Sequence, residues 1–280
     1  MDASLLQDLL VQALNLSLMF SVGLELDLAR LRAILDRKAL LLSAIAFNFL
    51  AVPAMAAGLN HLMVLPAGVA TGLLLAALCP GGGTGTLLTR AAKGSLELSV
   101  LLLGVLTLLA VPLVPVLMTV AGGSLDIQQQ GPGPLLKTLL LFQLAPLLAG
   151  VALKRAASQA AAKANRVAKP VSNTIFGVLV VGLLVTRGHL VTTVGLPGLT
   201  AMVMVSLSSL VLPILWPLER AERAALSLTS GVRNLALALL LSSSFFSDET
   251  TIAVLSFGLF MYLLGLPLAL IWRVRAPVGA

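Results

Sequence analysis

The sequence predicts an all-α polytopic membrane protein with nine transmembrane helices. Three observations carry that prediction. Only 10% of the 280 residues are charged and 59% are hydrophobic, whereas a soluble domain has about a quarter of its residues charged. The apolar residues come in blocks of roughly 20, the length an α-helix needs to cross a bilayer. Lys and Arg gather in alternate connections, as they do in helical membrane proteins. An ordinary soluble enzyme and a disordered chain are excluded, and a β-barrel would show short alternating segments instead.

The nine spans are expected at 5–26, 39–63, 65–88, 95–120, 135–153, 170–186, 197–216, 225–246 and 250–273. The N-terminus carries Asp2 and Asp8 rather than a basic leader, so the first stretch is expected to be a retained span. The second holds Asn48 ahead of Pro53, and the fifth holds Gln143 ahead of Pro146. Each is a polar group beside a kink, suited to a ligand or to bonding a neighbouring helix. The third carries Cys79-Pro80-Gly81-Gly82-Gly83-Thr84-Gly85-Thr86, and the eighth carries Thr229-Ser230-Gly231-Val232-Arg233-Asn234. Connections are expected at 27–38, 90–94, the Gly/Pro/Gln stretch 122–134, and the basic stretch 154–169.

Fifteen of the 18 Lys and Arg residues lie in the connections and tail of one side. Only Lys137 and Arg187 lie on the other, and Arg233 falls inside a span. This asymmetry orients the chain with its C-terminus in the cytoplasm and its N-terminus outside, in the cell inner (plasma) membrane. It also accounts for the net charge of +7, so no nucleic-acid partner is expected. The single cysteine, Cys79, excludes a disulfide framework. His61 and His189 are 128 positions apart and make no metal motif.

We read the chain as a single transporter domain, 1–280, built from two repeats. Residues 135–273 form a five-helix unit, and 1–120 form the same unit without its first helix. Five-helix repeats must have opposite topology, the plan of many secondary transporters. Both interrupted segments then fall at the fourth position of their units. Pro80 cannot donate a backbone hydrogen bond, and three glycines weaken the helix further. Freed amides at a half-helix start attract anions, and freed carbonyls at a half-helix end attract cations. A buried Arg233 demands a partner or a water-filled cavity. Glu25 and Glu97 lie near span ends, away from it. Thr229, four positions earlier, is expected on the same helical face as Arg233.

With these segments placed, the chain resembles the bile acid:sodium symporter family. CPGGGTGTLLTRAAKGSLELS (79–99) is similar to that family's Cys-Pro-Gly-Gly segment, and MFSVGLEL (19–26) to its Met-Phe-x-x-Gly-Leu motif. NFLAVP (48–53) and ALSLTSGVRNLALAL (225–239) are similar to two further motifs. The resemblance implies a panel domain, a core domain and two crossing broken helices. It also implies carriage of an organic anion, bile-acid-like or a smaller carboxylate, and two sodium sites around the crossing.

Carried over by position, the family's sodium-site glutamate becomes Thr229 and its glutamine becomes Arg233. A Ser-Asn pair becomes Gly85-Thr86, a later threonine becomes Leu103, and Ser99 is kept. The helix 2 glutamine becomes Asn48, and the asparagine linked to substrate is kept as Asn234. Substrate contacts are expected at Arg233, Asn234, Thr84, Thr86 and Asn48, with Asn234 the one that the resemblance implies. A carboxylate with two Na⁺ carries +1 when loaded, and Arg233 alone also carries +1. A sodium ion beside an uncompensated guanidinium is repelled. We therefore expect weakened or lost sodium coupling, with no other cofactor. The alternatives are a sodium symporter with a remodelled site and a membrane sensor or scaffold. A proton antiporter lacks a mid-membrane acid, and an intramembrane enzyme lacks a catalytic constellation.

Overall fold

The computed structural model describes residues 3–26, 34–121, 132–187, 189 and 191–274. Asp2, residues 27–33 of the first basic connection, 122–131 of the Gly/Pro/Gln stretch, and the tail from 275 lie outside the described residues. Eleven helices follow in order. They are α1 (Ala3–Glu25), α2 (Lys38–Leu62), α3 (Ala67–Leu78), α4 (Thr84–Ala91), α5 (Leu96–Ala121) and α6 (Gly133–Ala156). Then come α7 (Ser158–Arg187), α8 (Val191–Val211), α9 (Arg220–Gly231), α10 (Leu235–Phe245) and α11 (Asp248–Val274).

Among the described residues, eight helical stretches are long and apolar enough to cross a membrane, α9 and α10 together making one of them. The expected span 65–88 is instead divided between α3 and α4, of 12 and 8 residues. The two kinks expected from Asn48-Pro53 and Gln143-Pro146 take the form of π-helical turns, Phe47–Ala51 in α2 and Leu140–Leu144 in α6. A proline leaves a carbonyl one turn back without its usual donor, and the helix widens locally.

One expected connection is absent. The stretch 154–169 is not a loop: α6 runs to Ala156, the chain turns at Ala157, and α7 begins at Ser158, twelve residues before the expected start. Charge marks where a helix leaves hydrocarbon, not where it stops. This segment is rich in alanine, lysine and arginine, which are good helix formers. The 30 residues of α7 rise about 45 Å, longer than the ~30 Å of hydrocarbon to be crossed. The expected start of the seventh span, 197, follows a kink inside α8, where Gly195 has φ of 63°.

The helices sort into two groups by packing. Helices α1, α6 and α7 lie against one another, and the remainder pack together around α3, α9 and α11, with α10 also touching α1. Gly23 of α1 and Gly150 of α6 meet backbone to backbone, with no room for a Cβ on either. Small residues allow this close approach in membranes, where packing rather than water exclusion holds helices together. Where the two groups face each other, they leave a cleft.

Candidate functional site

The two breaks cross. Cys79–Gly83 separates α3 from α4, and Val232–Asn234 separates α9 from α10. Two backbone hydrogen bonds tie them: Gly82 N–H donates to Val232 O at 3.0 Å, and Asn234 N–H donates to Cys79 O at 2.7 Å. The glycines are required here for identifiable reasons. Gly81 has φ of +83°, and a Cβ on Gly82 would overlap the carbonyl of Arg233. In lipid no water is at hand to satisfy a broken helix, and the reciprocal bonds replace two of the missing partners.

The carbonyl ends of α3 and α9 meet at the Arg233 side chain. Its guanidinium donates to Asn48 Oδ1 at 2.7 Å, Asn48 O at 3.1 Å, Ser230 O at 3.1 Å, and Ala77 O. Ala77 lies in the last turn of α3 and Ser230 in the last turn of α9. Asn48 is held in turn by Ala44 O and Ser230 Oγ. Arg233 is 1% exposed and is the largest fully buried side chain. The oxygens it meets are all neutral. Two half-helix carbonyl ends supply the negative potential that a carboxylate would otherwise provide.

The expected helical pairing of Thr229 with Arg233 does not arise. Helix α9 stops at Gly231, so the periodicity does not reach residue 233. Thr229 instead bonds Ser99 across helices, hydroxyl to hydroxyl at 2.7 Å. Gly85 packs its Cα side toward Leu228 O and Thr229. Thr86 turns its hydroxyl back to Gly83 O at 2.7 Å.

The amide ends of α4 and α10 lie on the other side of the crossing. There, a small recess is lined by Gly83 and Thr84, Arg233 and Asn234, with Phe176 and Tyr262. It continues into a cleft that shares Leu18, Thr84 and Asn173 and adds Thr86 and Leu103. Asn234 caps α10, accepting from Leu237 N–H at 3.1 Å. Thr84 meets the hydroxyl of Tyr262, the chain's one tyrosine, at 2.9 Å. Asn48 is absent from the lining of both spaces. Among the expected substrate residues, the structure thus puts Arg233, Asn234, Thr84 and Thr86 along the cleft and Asn48 behind Arg233.

Sequence reasoning did not foresee the far end of the cleft. Glu25 of α1 pairs there with Lys169 of α7, and both line the cleft. Asn165 bridges Ser21 and Glu25, and Lys154 caps α1 by donating to the carbonyls of Glu25 and Leu26. A separate, more polar recess lies beside Arg37, Ser95 and Glu222. The hydrogen bond to Glu222 holds the Arg37 guanidinium above its ordinary pKa.

A family model described as the sodium bile acid symporter family matches residues 13–194. An uncharacterized sodium-dependent transporter of Bacillus subtilis (strain 168), YocS, is 28% identical over 265 residues, 92% of this chain and 81% of its own length. The probable sodium/metabolite cotransporter BASS1, chloroplastic, of Arabidopsis thaliana is 26% identical over 264 residues, 92% of this chain and 65% of its own. The P3 protein of Mus musculus is 28% identical over 229 residues, which is 78% of this chain and 48% of that protein. The chain therefore spans about two thirds of the plant relative and about half of the mouse one.

Proposed function

The chain belongs to the sodium bile acid symporter family, and from that premise we propose that it carries an organic anion by alternating access with weakened or no coupling to sodium. It is a multi-pass membrane transporter. Members of this family are transporters, not enzymes, and act on small substrates. In our reading, the α1, α6, α7 group and the other helices move against each other around the cleft. The incomplete repeat 1–120 faces the complete repeat 135–273 with inverted topology. The N-terminus lies outside and the C-terminus in the cytoplasm of the plasma membrane.

The observation that carries the sodium reading is the guanidinium of Arg233 among Asn48 Oδ1, Asn48 O, Ala77 O and Ser230 O. Neutral oxygens of this kind are hard donors of the sort alkali and alkaline-earth cations accept. With the guanidinium bonded to them, the residues do not fit a sodium ion. The charge is fixed by the chain rather than brought by the solution. The anion poles of α4 and α10 remain available to substrate.

The relatives named for sodium favour a second reading, a symporter whose remodelled site uses Ser99, Thr86, Thr229 and backbone carbonyls. Uptake of labelled carboxylates into proteoliposomes separates the two. With an inward Na⁺ gradient and with choline in its place, our reading predicts equal initial rates. A Na⁺-dependent rate at millimolar concentrations contradicts it and supports the symporter. Arg233→Gln combined with Thr229→Glu is expected to introduce the dependence.

A further inference from the structure

Helix α7 is longer than the hydrocarbon it crosses, and two contacts fix the level at which it leaves. Lys169 pairs with Glu25 at the end of α1, and Lys154 donates to the carbonyls of Glu25 and Leu26 there. From Lys169 to Arg187, the end of the helix, the rise is about 27 Å, close to the ~30 Å of hydrocarbon. The first three turns, from Ser158, therefore project past the hydrocarbon by about 17 Å. Arg166 and Lys163 stand about 5 and 9 Å beyond Lys169. That is the depth of the head-group layer, about 5–8 Å on each side of a bilayer.

The outward face of α7 changes character at the same level. Val167, Val171, Val178, Val181 and Val185 recur at helical spacing, and all are exposed. Gly177 and Gly182 belong to this face too, where an added Cβ would meet open space. Lys163 lies one turn above Val167, with Arg166 beside it, and both are exposed. Across the turn at Ala157, Arg155 is exposed as well. The inward cations, Lys154 and Lys169, are spent on the end of α1. No described residue bonds or pairs with the side chains of Arg155, Lys163 or Arg166. Nor can α6 or α7 balance them, since no Asp or Glu occurs between Asp126 and Glu219.

We propose that Lys163 and Arg166 bind the phosphate of an anionic phospholipid, with an acyl chain lying along Val167 and Val171 and Arg155 adding positive potential from the end of α6. Basic side chains at this depth attract anionic head groups. The unbroken passage from a basic to an apolar face selects an amphiphile: a soluble anion meets only the upper half, and a lipid meets both. The site lies wholly on the α1, α6, α7 group. A bound lipid anchors that group to one leaflet and leaves the crossing untouched. The site goes beyond the transport reading and is independent of which ion or anion is carried.

The test is the thermal stability of the purified full chain in neutral detergent and choline chloride, titrated with dioleoylphosphatidylglycerol, dioleoylphosphatidylcholine or glycerol 3-phosphate. Phosphatidylglycerol is expected to raise Tm saturably, phosphatidylcholine to bind at least several-fold more weakly, and glycerol phosphate to leave Tm unchanged. Lys163→Gln combined with Arg166→Gln alters only exposed positions and is expected to keep the helical circular dichroism. It should weaken phosphatidylglycerol by about tenfold or more. Lys38→Gln combined with Arg90→Gln removes the same charge from exposed positions elsewhere and is expected to leave the titration as in the wild type. No response to phosphatidylglycerol, the two lipids binding alike, or glycerol phosphate binding as well as the lipid would each overturn the proposal. So would equal behaviour of the two double variants, which would reduce the effect to net charge or remove it from α7.

Discussion

The crossing has two poles made from the same pair of broken helices, and they are filled in opposite ways. At the carbonyl pole, the ends of α3 and α9 are occupied by the chain itself, through a guanidinium bonded to Asn48, Ala77 and Ser230. At the amide pole, the starts of α4 and α10 border a cavity, and two donors there lack partners. A helix break creates both a cation-attracting end and an anion-attracting end. The comparison teaches that the two need not be served alike. In the function proposed here, a tethered charge at one pole takes the place of a mobile cation and leaves its own balance to be supplied at the other.

The largest effect is expected where both poles depend on one backbone contact. Gly82→Ala pushes a Cβ into the carbonyl of Arg233 and disturbs both reciprocal backbone bonds. A loss of about 3 kcal/mol is expected, read as a large drop in Tm and in monodisperse yield from detergent. Next comes Arg233→Gln, which empties the carbonyl pole and strands buried acceptors, at about 1–3 kcal/mol. This variant also sharpens the comparison. Added Na⁺ should restore part of its stability by mass action while leaving the wild type unmoved in the same titration. A variant destabilised without any Na⁺ response would break the equivalence of guanidinium and ion.

Asn234→Ala removes the cap of α10 and should cost about 1 kcal/mol, with Tm the readout. The smallest effect is expected at the cleft mouth. Lys169 and Glu25 are partly exposed, and such pairs contribute at most about 1 kcal/mol. Lys169→Gln should therefore shift Tm slightly, with the shift shrinking further in high salt.

Much of this was legible in the sequence for particular reasons. Pro80 followed by three glycines can end a helix anywhere, and a charge at 233 in an apolar span is costly anywhere, so both breaks showed themselves locally. The guanidinium's partners did not. Ala77 and Ser230 contribute backbone oxygens, which every residue has, and only the crossing selects these two. The Glu25–Lys169 pair joins positions 144 apart and follows from how α1 meets α7. The same helix was misjudged at its start, because a basic, alanine-rich stretch reads as a loop by charge and as a helix by propensity. Here propensity prevailed. Thr229 was assigned to Arg233 by a helical period that the break at Gly231 interrupts.

Equilibrium binding of ²²Na⁺ to the purified wild-type protein tests the central claim most directly. The account predicts no saturable binding up to tens of millimolar and its appearance in Arg233→Gln. Saturable binding to the wild type at low millimolar concentration, with Arg233 intact, would contradict it.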